Sequence, residues 1–538
     1  MFCIFTDKYS IKKRLLKILS FFITIIIVLS MRLYMLQVHP SEKVQVSYQN
    51  HQMENISNIK YMILDTNGKD LMKYNKKYVL VIDIKPFSLN NYEETLEDLM
   101  ALNFIMKSEN PDFNYSEIMK AQGKIYYNIS EETYNKINKL KNIKGIYTYI
   151  SDEVDTKKAW SVSSFLANIL DETQVEGSLQ ENLQGYLKNN DLPKKNFYLD
   201  DKSIYAKETV NISDDNNNLK LTIDKDMEDK IRNILEKDEY KYLKNVGVSI
   251  VESDTGKIRA LVQKDESEAN INLGIQEIGY EPGSIYKIIT LASALEMGLV
   301  NVNDTFNCSG NICREHHGTL TVKNSLVRSC NDIFAKIGSL VGYDKLMEYS
   351  KEQGLYNRVL NLEGENKNET CGIQPKEDAG MNNISIGQCM NVSPVQMLGA
   401  INTVVNNGVY IKPYIVESIL DKNDNVVKEF KSDEKKIYSE ITSRLVKDAM
   451  KEVVVRGTGI KAYISDFDIG GKTGSATASD GNTHGWFSGY FKFNNKTYTM
   501  VIFIPNIELQ NLETNVELGG GDTAAPIFKD IVKTLNNK

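Results

Sequence analysis

The sequence predicts an α+β protein in three parts: an N-terminal membrane-spanning helix, a mixed α/β module, and a C-terminal domain in which helices cover a sheet. Three observations predict it. An apolar run follows a basic N-terminal cluster. Near residue 220 the Asn-, Lys- and Tyr-rich texture gives way to longer apolar segments. Beyond that point, β-rich runs at both ends enclose a long helical insert.

The N-terminal element comes first. Lys12, Lys13, Arg14 and Lys17 precede an uncharged stretch from Ile18 to Met31, and after Arg32 the apolar character continues to Val38. These 21 residues suffice to cross a hydrocarbon core of about 30 Å if Arg32 snorkels to the outer interface. The basic flank should remain cytoplasmic, with everything beyond His39 exported. No small-x-small cleavage site follows, so an uncleaved anchor is expected rather than a signal peptide. The expected division is a cytoplasmic tail at 1–17, an anchor at 18–38, a non-catalytic module at 39–219 and a catalytic domain at 220–538, in a single-pass cell-membrane protein.

The module at 39–219 offers short mixed segments. "KYVLVIDI" and "GIYTYIS" read as strands and "YEETLEDLMALNFIM" as a helix. A polar loop at Asp214–Asn218 marks the seam. After it, "VGVSIVESDTGKIRALVQ" reads as two strands joined by an Asp254-Thr255-Gly256 turn. "HGWFSGYFKFNNKTYTMVIFIPN" reads as two more around Asn494-Asn495.

Composition narrows the function. A net charge of -7 over 538 residues argues against a general nucleic-acid binder. Five of the six cysteines, Cys308, Cys313, Cys330, Cys371 and Cys389, would lie outside the membrane, an odd number that defines no disulfide framework, although Cys308 and Cys313 could close a short loop. Only His316 and His317 lie near a cysteine, and adjacent side chains diverge. No metal and no cofactor are expected.

Within the helical insert, "EPGSIYKIIT" places a turn at Pro282-Gly283, then Ser284, and Lys287 three positions later. The apolar spacing onward to Gly298 reads as an amphipathic helix with Ser284 in its first turn. Residues three apart share a helix face, so the Lys287 amine could reach the Ser284 hydroxyl, near the positive helix end. An N-capping serine beside a solvated lysine would give the same pattern, and Ser-x-x-Lys recurs at Ser10, Ser57 and Ser432. Two further segments separate these readings: Ser329-Cys330-Asn331 at a helix entry, 45 positions beyond Ser284, and Lys472-Thr473-Gly474 at a strand start, 143 positions beyond Ser329.

Ser-x-x-Lys, Ser-x-Asn and Lys-Thr-Gly in this order form the triplet of penicillin-binding proteins and serine β-lactamases. "EPGSIYKIITLASALEMG", "LTIDKDMEDKIRNIL", "ISIGQCMNVSPVQMLGAINTVVNNGVYIKP", "VVVRGTGIKAY" and the anchor end "MRLYMLQV" are similar to segments of class B penicillin-binding proteins, with Cys389 and Ser393 as departures. The resemblance is strong over 220–538. It is weak over the module, where "NIKYMILDTNGKDL" keeps Asp65, Asn67 and Gly68 but lacks the family's Arg-Gly and second Arg.

The resemblance implies a fold and a chemistry. The fold would be an elongated mixed α/β pedestal or dimerisation-like module, followed by a penicillin-binding transpeptidase domain with a central antiparallel sheet covered by helices. Ser284 would be the acyl-accepting nucleophile and Lys287 its base. Ser329 would relay a proton while Asn331 holds the substrate amide. Lys472 would supply positive field, Thr473 would bind the terminal carboxylate, and Gly474 would permit close approach of the strand. The backbone N–H groups of Ser284 and Ser475 would form the oxyanion hole. Cys330, between two of these residues, could be redox-sensitive. The implied activity is peptidoglycan D,D-transpeptidation, with stem peptides and β-lactams as ligands and other wall-synthesis proteins, such as a polytopic glycosyltransferase, as partners. A carboxypeptidase or β-lactamase, or a non-catalytic β-lactam sensor or wall-complex scaffold, would share these motifs. The Cys308, Cys313 and Ser-Cys-Asn cysteines resemble those of sporulation-specific members of the family.

Overall fold

The computed structural model describes residues 4–38, 51–91, 93–156, 161–170, 173–267, 279–313, 315–364, 367–477, 483–507 and 518–537. His39, Tyr92 and the end of the Lys-Thr-Gly segment at 478–481 lie outside the described residues. Helix α1 (Ile4–Val38) contains a stretch, Lys13–Met35, of 23 residues with mean hydropathy 2.2, long and apolar enough to cross a membrane. The helix begins well before the expected anchor because lysine, arginine and leucine are good helix formers on either side of the interface.

Contacts divide the chain into two compact units. One comprises Met1–Asn58, Lys76–Glu153 and Leu192–Ile212; the other comprises Ile59–Asn75, Val154–Asp191 and Ser213–Lys538. Compactness thus does not follow a single cut near residue 220. The second unit recruits earlier segments because Ile63–Leu64 pairs in parallel with Asn217–Leu221, while Leu183 and Leu187 are buried in that unit's core.

The first unit holds two three-stranded sheets. In one, Tyr74–Asp83 is flanked by Lys124–Ile129 and Ile146–Val154; the sequence places strands at the first and last of these and names none at Lys124–Ile129. The period of two sorts its side chains: Leu80 and Ile82 join a core with Leu99, Leu102 and Met106 of the helix Leu96–Glu109, while Val79 and Val81 pack with Tyr147 and Phe197. In the other sheet, Lys194–Leu199 lies between His51–Asn55 and Tyr205–Asn211.

The second unit is built on a five-stranded antiparallel sheet of β1 (Gly247–Glu252), β2 (Ile258–Gln263), β3 (Gly470–Thr477), β4 (Thr483–Phe493) and β5 (Lys496–Ile507), in the order β2-β1-β5-β4-β3. Both hairpins expected from sequence are present, with Gly256 at φ +73 and Asn494 and Asn495 at φ +47 and +61. Alternation again splits the faces. Val248, Ile250, Met500 and Ile502 meet helices α2 (Lys225–Leu235) and α7 (Ala524–Leu535). Val251, Val501 and Phe503 face the cluster containing α3 (Lys287–Glu296), α4 (Asn331–Val341), α5 (Pro394–Val405) and α6 (Glu440–Arg456). Ser393 departs from the family's threonine but keeps its work: it caps α5 in a reciprocal box with Gln396, ahead of Pro394. Asn402 on α5 donates to the Ser253 carbonyl at 3.0 Å and accepts from Thr499 at 2.8 Å, which ties the helix to the sheet.

Candidate active site

Ser284 lies one turn earlier than an α-helical reading places it. Gly283–Tyr286 form a 3-10 turn, and α3 begins at Lys287. Gly283 adopts φ +53 and donates to the Gly387 carbonyl at 3.0 Å, and this left-handed entry tightens the turn. Side chains three apart eclipse in a 3-10 turn, so Ser284 and Lys287 share one face.

The second motif is a junction between two helices. Val322–Val327 ends in a Schellman cap: the Ser329 N–H donates to the Leu326 carbonyl at 3.1 Å and the Cys330 N–H to the Ser325 carbonyl at 2.9 Å. Ser329 therefore occupies the left-handed position usually given to glycine, at φ +55, a conformation that costs a non-glycine residue about 1–3 kcal/mol. Cys330 is the N-cap of α4 and Asn331 its first residue. The fully buried Lys287 amine fastens this junction, donating to the Ser329 carbonyl at 2.8 Å, Ser329 Oγ at 3.2 Å and Asn331 Oδ1 at 2.5 Å. Burial, the largest effect, pushes Lys287 down to about 7, opposed by the electrostatic influence of the neighbouring Cys330 and Cys313.

The third motif is on β3, the edge strand. Lys472 is fully buried, its amine bonded to the Thr473 carbonyl at 2.8 Å; burial first, and then the charge of Lys287, push it well below the ordinary lysine range. Gly474 is where the strand meets the serine turn: a Cβ there would lie 2.8 Å from the Pro282 carbonyl oxygen and 3.1 Å from Ile285 Cγ2. Gly283 makes the reciprocal approach, its absent Cβ lying 2.6 Å from the Ser475 carbonyl oxygen.

Ser284, Ser329, Asn331, Thr473 and Ser475 line one cleft of about 690 Å³. Lys287 and Lys472 lie buried among them, Gly474 forms the contact between turn and strand, and Cys330 is buried at the helix junction. Sequence reading did not name Thr458, Gln388, Gly519, Gly521 and Asp522, which share the cleft. Thr458 accepts from Thr473 Oγ1 at 2.8 Å. The three consecutive glycines carried a signal: a Cβ at Gly520 would lie 2.1 Å from the Trp486 carbonyl oxygen and 2.4 Å from that of Gly474. Cys389 is exposed at φ +60, its N–H donating to Glu281 Oε1 at 2.8 Å.

The thiols of Cys308, Cys313 and Cys330 are all free, and Cys313 Sγ is 3.6 Å from Cys330 Sγ, so neither the Cys308–Cys313 loop nor another disulfide is formed among them. His316 and His317 diverge as expected, with His316 beside Gly310, yet His317 alone turns toward the cysteines. One ligand atom from each of Cys308, Cys313, His317 and Cys330 lies within 4.8 Å of every other. Sequence reading missed this set because it weighed the two histidines as a pair. The spacing Cys-x4-Cys-x3-His-x12-Cys was the available signal.

Residues 246–533 match the penicillin binding protein transpeptidase domain family. Stage V sporulation protein D of Bacillus subtilis is 26% identical over 97% of this chain and 85% of its own length. Penicillin-binding protein PbpB of Mycolicibacterium smegmatis is 30% identical over 36% of this chain and 33% of its own length. The fold is similar to the crystal structure of penicillin binding protein 3 from Mycobacterium tuberculosis, at TM-score 0.57 and 18% identity over 90% of this chain and 96% of that one. It is also similar to a chain in a structure titled for the coordination of polymerization and crosslinking by a peptidoglycan synthase complex, at TM-score 0.62 and 18% identity over 97% of this chain and 98% of that one.

Proposed function

The chain belongs to the penicillin-binding protein transpeptidase family, as a class B member, and we propose that it is a membrane-anchored D,D-transpeptidase that cross-links peptidoglycan through an acyl-enzyme on Ser284. The observation that carries this reading is the single cleft that gathers Ser284, Ser329, Asn331, Thr473 and Ser475, with the Lys287 amine bonded to the Ser329-Asn331 junction.

Burial favours a neutral Lys287, which takes the Ser284 proton as Oγ attacks the carbonyl between two terminal D-alanines of a stem peptide. The oxyanion is held by the N–H groups of Ser284 and Ser475, where the strand meets the turn. Ser329 passes the proton to the departing amine, the carbon–nitrogen bond breaks and D-alanine leaves. Asn331 holds the substrate amide, and Thr473, backed by Thr458 and the buried Lys472, binds the terminal carboxylate. An amine of a neighbouring stem then attacks the ester and restores the serine. Penicillins acylate the same oxygen and leave slowly. The basic flank of α1 favours a cytoplasmic N-terminus and an extracellular catalytic unit. The likeness to a chain of a peptidoglycan synthase complex supports a glycan-polymerising partner.

Mass spectrometry after incubation with penicillin tests the assignment. A single adduct on Ser284, absent in Ser284→Ala with an unchanged melting curve, is expected, and an adduct on any other residue overturns it. Turnover on intact stem peptides with and without an acceptor amine separates transfer from hydrolysis by a carboxypeptidase or β-lactamase.

A further inference from the structure

The proposed chemistry brings a carboxylate into the cleft, yet neither motif lysine lines it. The Lys472 amine is bonded within its own strand, to the Thr473 carbonyl at 2.8 Å and Thr473 Oγ1 at 3.4 Å, and Lys287 is bonded to the Ser329-Asn331 junction. Both are fully buried, and burial works against charge on each. Among the described residues that line the cleft, only Lys461 and Asp522 carry charge, and neither belongs to the three motifs.

The two charges meet at the wall beside Thr473. Lys461 lies in the 3-10 turn Ile460–Ala462, which follows Thr458 through bonds from the Ile460 N–H to the Gly457 carbonyl at 3.2 Å and from the Ala462 N–H to the Gly459 carbonyl at 2.9 Å. At a rise of about 2.0 Å per residue and three residues per turn, Lys461 sits roughly 6 Å beyond Thr458 and on the same side. Thr458 itself accepts from Thr473 Oγ1 at 2.8 Å. Asp522 arrives from the other direction. The Gly520 N–H donates to Ser475 Oγ at 3.2 Å, and a Cβ at Gly521 would lie 2.9 Å from the Thr458 carbonyl oxygen and 3.6 Å from Thr473 Cγ2. Residues 519–522 are thus packed on the strand that carries Thr473, and they set the Asp522 carboxylate 2.7 Å from Lys461 Nζ.

A carboxylate that sheds its water among hydroxyls needs a cation to offset the desolvation. Lys461 carries its ammonium on a flexible four-carbon stem, which gives it reach. Asp522 does not hold it strongly: the two side chains are 53% and 38% exposed, and an ion pair so open to water contributes little. A ligand carboxylate can therefore draw the ammonium away at small cost.

We propose that Lys461 is a substrate-binding residue, which exchanges Asp522 for the terminal carboxylate of the stem peptide, or for the corresponding carboxylate of a penicillin, once that group is seated on Thr473. In the empty cleft Asp522 keeps the ammonium beside the subsite. The pair makes the cleft selective for ligands that end in a negative charge over esters or amides of the same shape. This assignment rests on the transpeptidase reading above.

The test measures the second-order rate of Ser284 acylation in the full-length chain in detergent, with penicillin G and with its methyl ester, which lacks the charge. Lys461→Met keeps much of the stem and removes the charge. The penicillin G rate is expected to fall at least tenfold and the ester rate less than twofold, with the melting curve unchanged. Lys461→Arg should retain at least a third of the penicillin G rate. Asp522→Asn removes the competing partner and should raise that rate twofold or more. An unchanged penicillin G rate in Lys461→Met, or an equal fall with both ligands, overturns the assignment. No gain in Asp522→Asn overturns the part given to Asp522. Either failure leaves the transpeptidase reading standing while Ser284 is labelled, whereas a wild-type chain that forms no Ser284 adduct overturns both.

Discussion

Gly474→Ala is the substitution whose effect follows most directly from the geometry of the cleft. The added methyl would stand 2.8 Å from the Pro282 carbonyl oxygen, 3.0 Å from Trp486 Cβ and 3.1 Å from Ile285 Cγ2. Ordinary contact requires at least 3.4 Å, so the strand and the serine turn must part by roughly half an ångström or more. The turn cannot yield alone: Trp486 Nε1 donates to the Glu281 carbonyl at 3.0 Å and the Gly283 N–H to Gly387 at 3.0 Å. Overpacking of this kind costs about 1–3 kcal/mol of stability. The separation also widens the gap between the Ser284 and Ser475 N–H groups, and since misplacement by about 1 Å can cost about a hundredfold, acylation should slow by roughly ten- to a hundredfold. The assay is the second-order rate of labelling by a fluorescent penicillin, read beside a thermal melt. Gly471→Ala is the control, because its methyl would strike Phe487 Cζ at 2.5 Å, on the same strand but at a side chain outside the cleft lining. It should destabilise the fold with a smaller effect on labelling. A Gly474→Ala protein that labels at the wild-type rate would refute the close apposition of β3 and the serine turn.

Other perturbations reach different parts of the molecule. Lys472→Ala removes a fully buried amine that burial already disfavours as a cation, so the melt should change little while acylation falls on the order of a hundredfold; unaltered acylation would remove Lys472 from the site. Burial raises the Glu369 carboxyl to about 7, against backbone N–H donors from Leu360, Val359 and Leu362. Its proton stabilises the fold fully below about pH 4.5, and the contribution fades as pH rises through 7, by about 3 kcal/mol in all; Glu369→Gln should flatten that part of a urea-denaturation profile. Protease added to intact spheroplasts should digest the chain beyond α1, and full protection would reverse the proposed orientation.

What the sequence disclosed and what it hid have separate physical causes. The hairpins at Asp254-Thr255-Gly256 and Asn494-Asn495 were legible because turn residues act locally, and their left-handed dihedrals appear as expected. The three motifs were legible because each combines residue types with order. The cleft residues of the 519–522 segment were hidden because that segment meets β3 and β4 only in the folded chain, where Gly520 approaches the Trp486 and Gly474 carbonyls; Thr458, quoted only within a longer segment, reaches the site through the Thr473 hydroxyl. A run of three glycines announces a close approach without naming the neighbour. The interleaving of Ile59–Asn75 and Val154–Asp191 with the C-terminal unit was hidden for the same reason: a two-residue strand such as Ile63–Leu64 has no period to read.

The Ser329-Cys330-Asn331 segment joins these two kinds of information. As sequence it is a pattern with a variable middle position, and chemistry points only to its outer residues. As structure it is a helix end fused to a helix start, and the middle residue performs both tasks: its N–H closes the Schellman cap on Ser325 and its backbone begins α4 as the N-cap. A residue so placed has no freedom to move without moving Ser329 and Asn331. Its side chain points away from the cleft lining toward Cys313, so the identity of the middle residue can be set by what lies behind the site rather than by the substrate in front of it. Substituting Cys330 should therefore alter the position of its two neighbours even though it touches nothing that reacts.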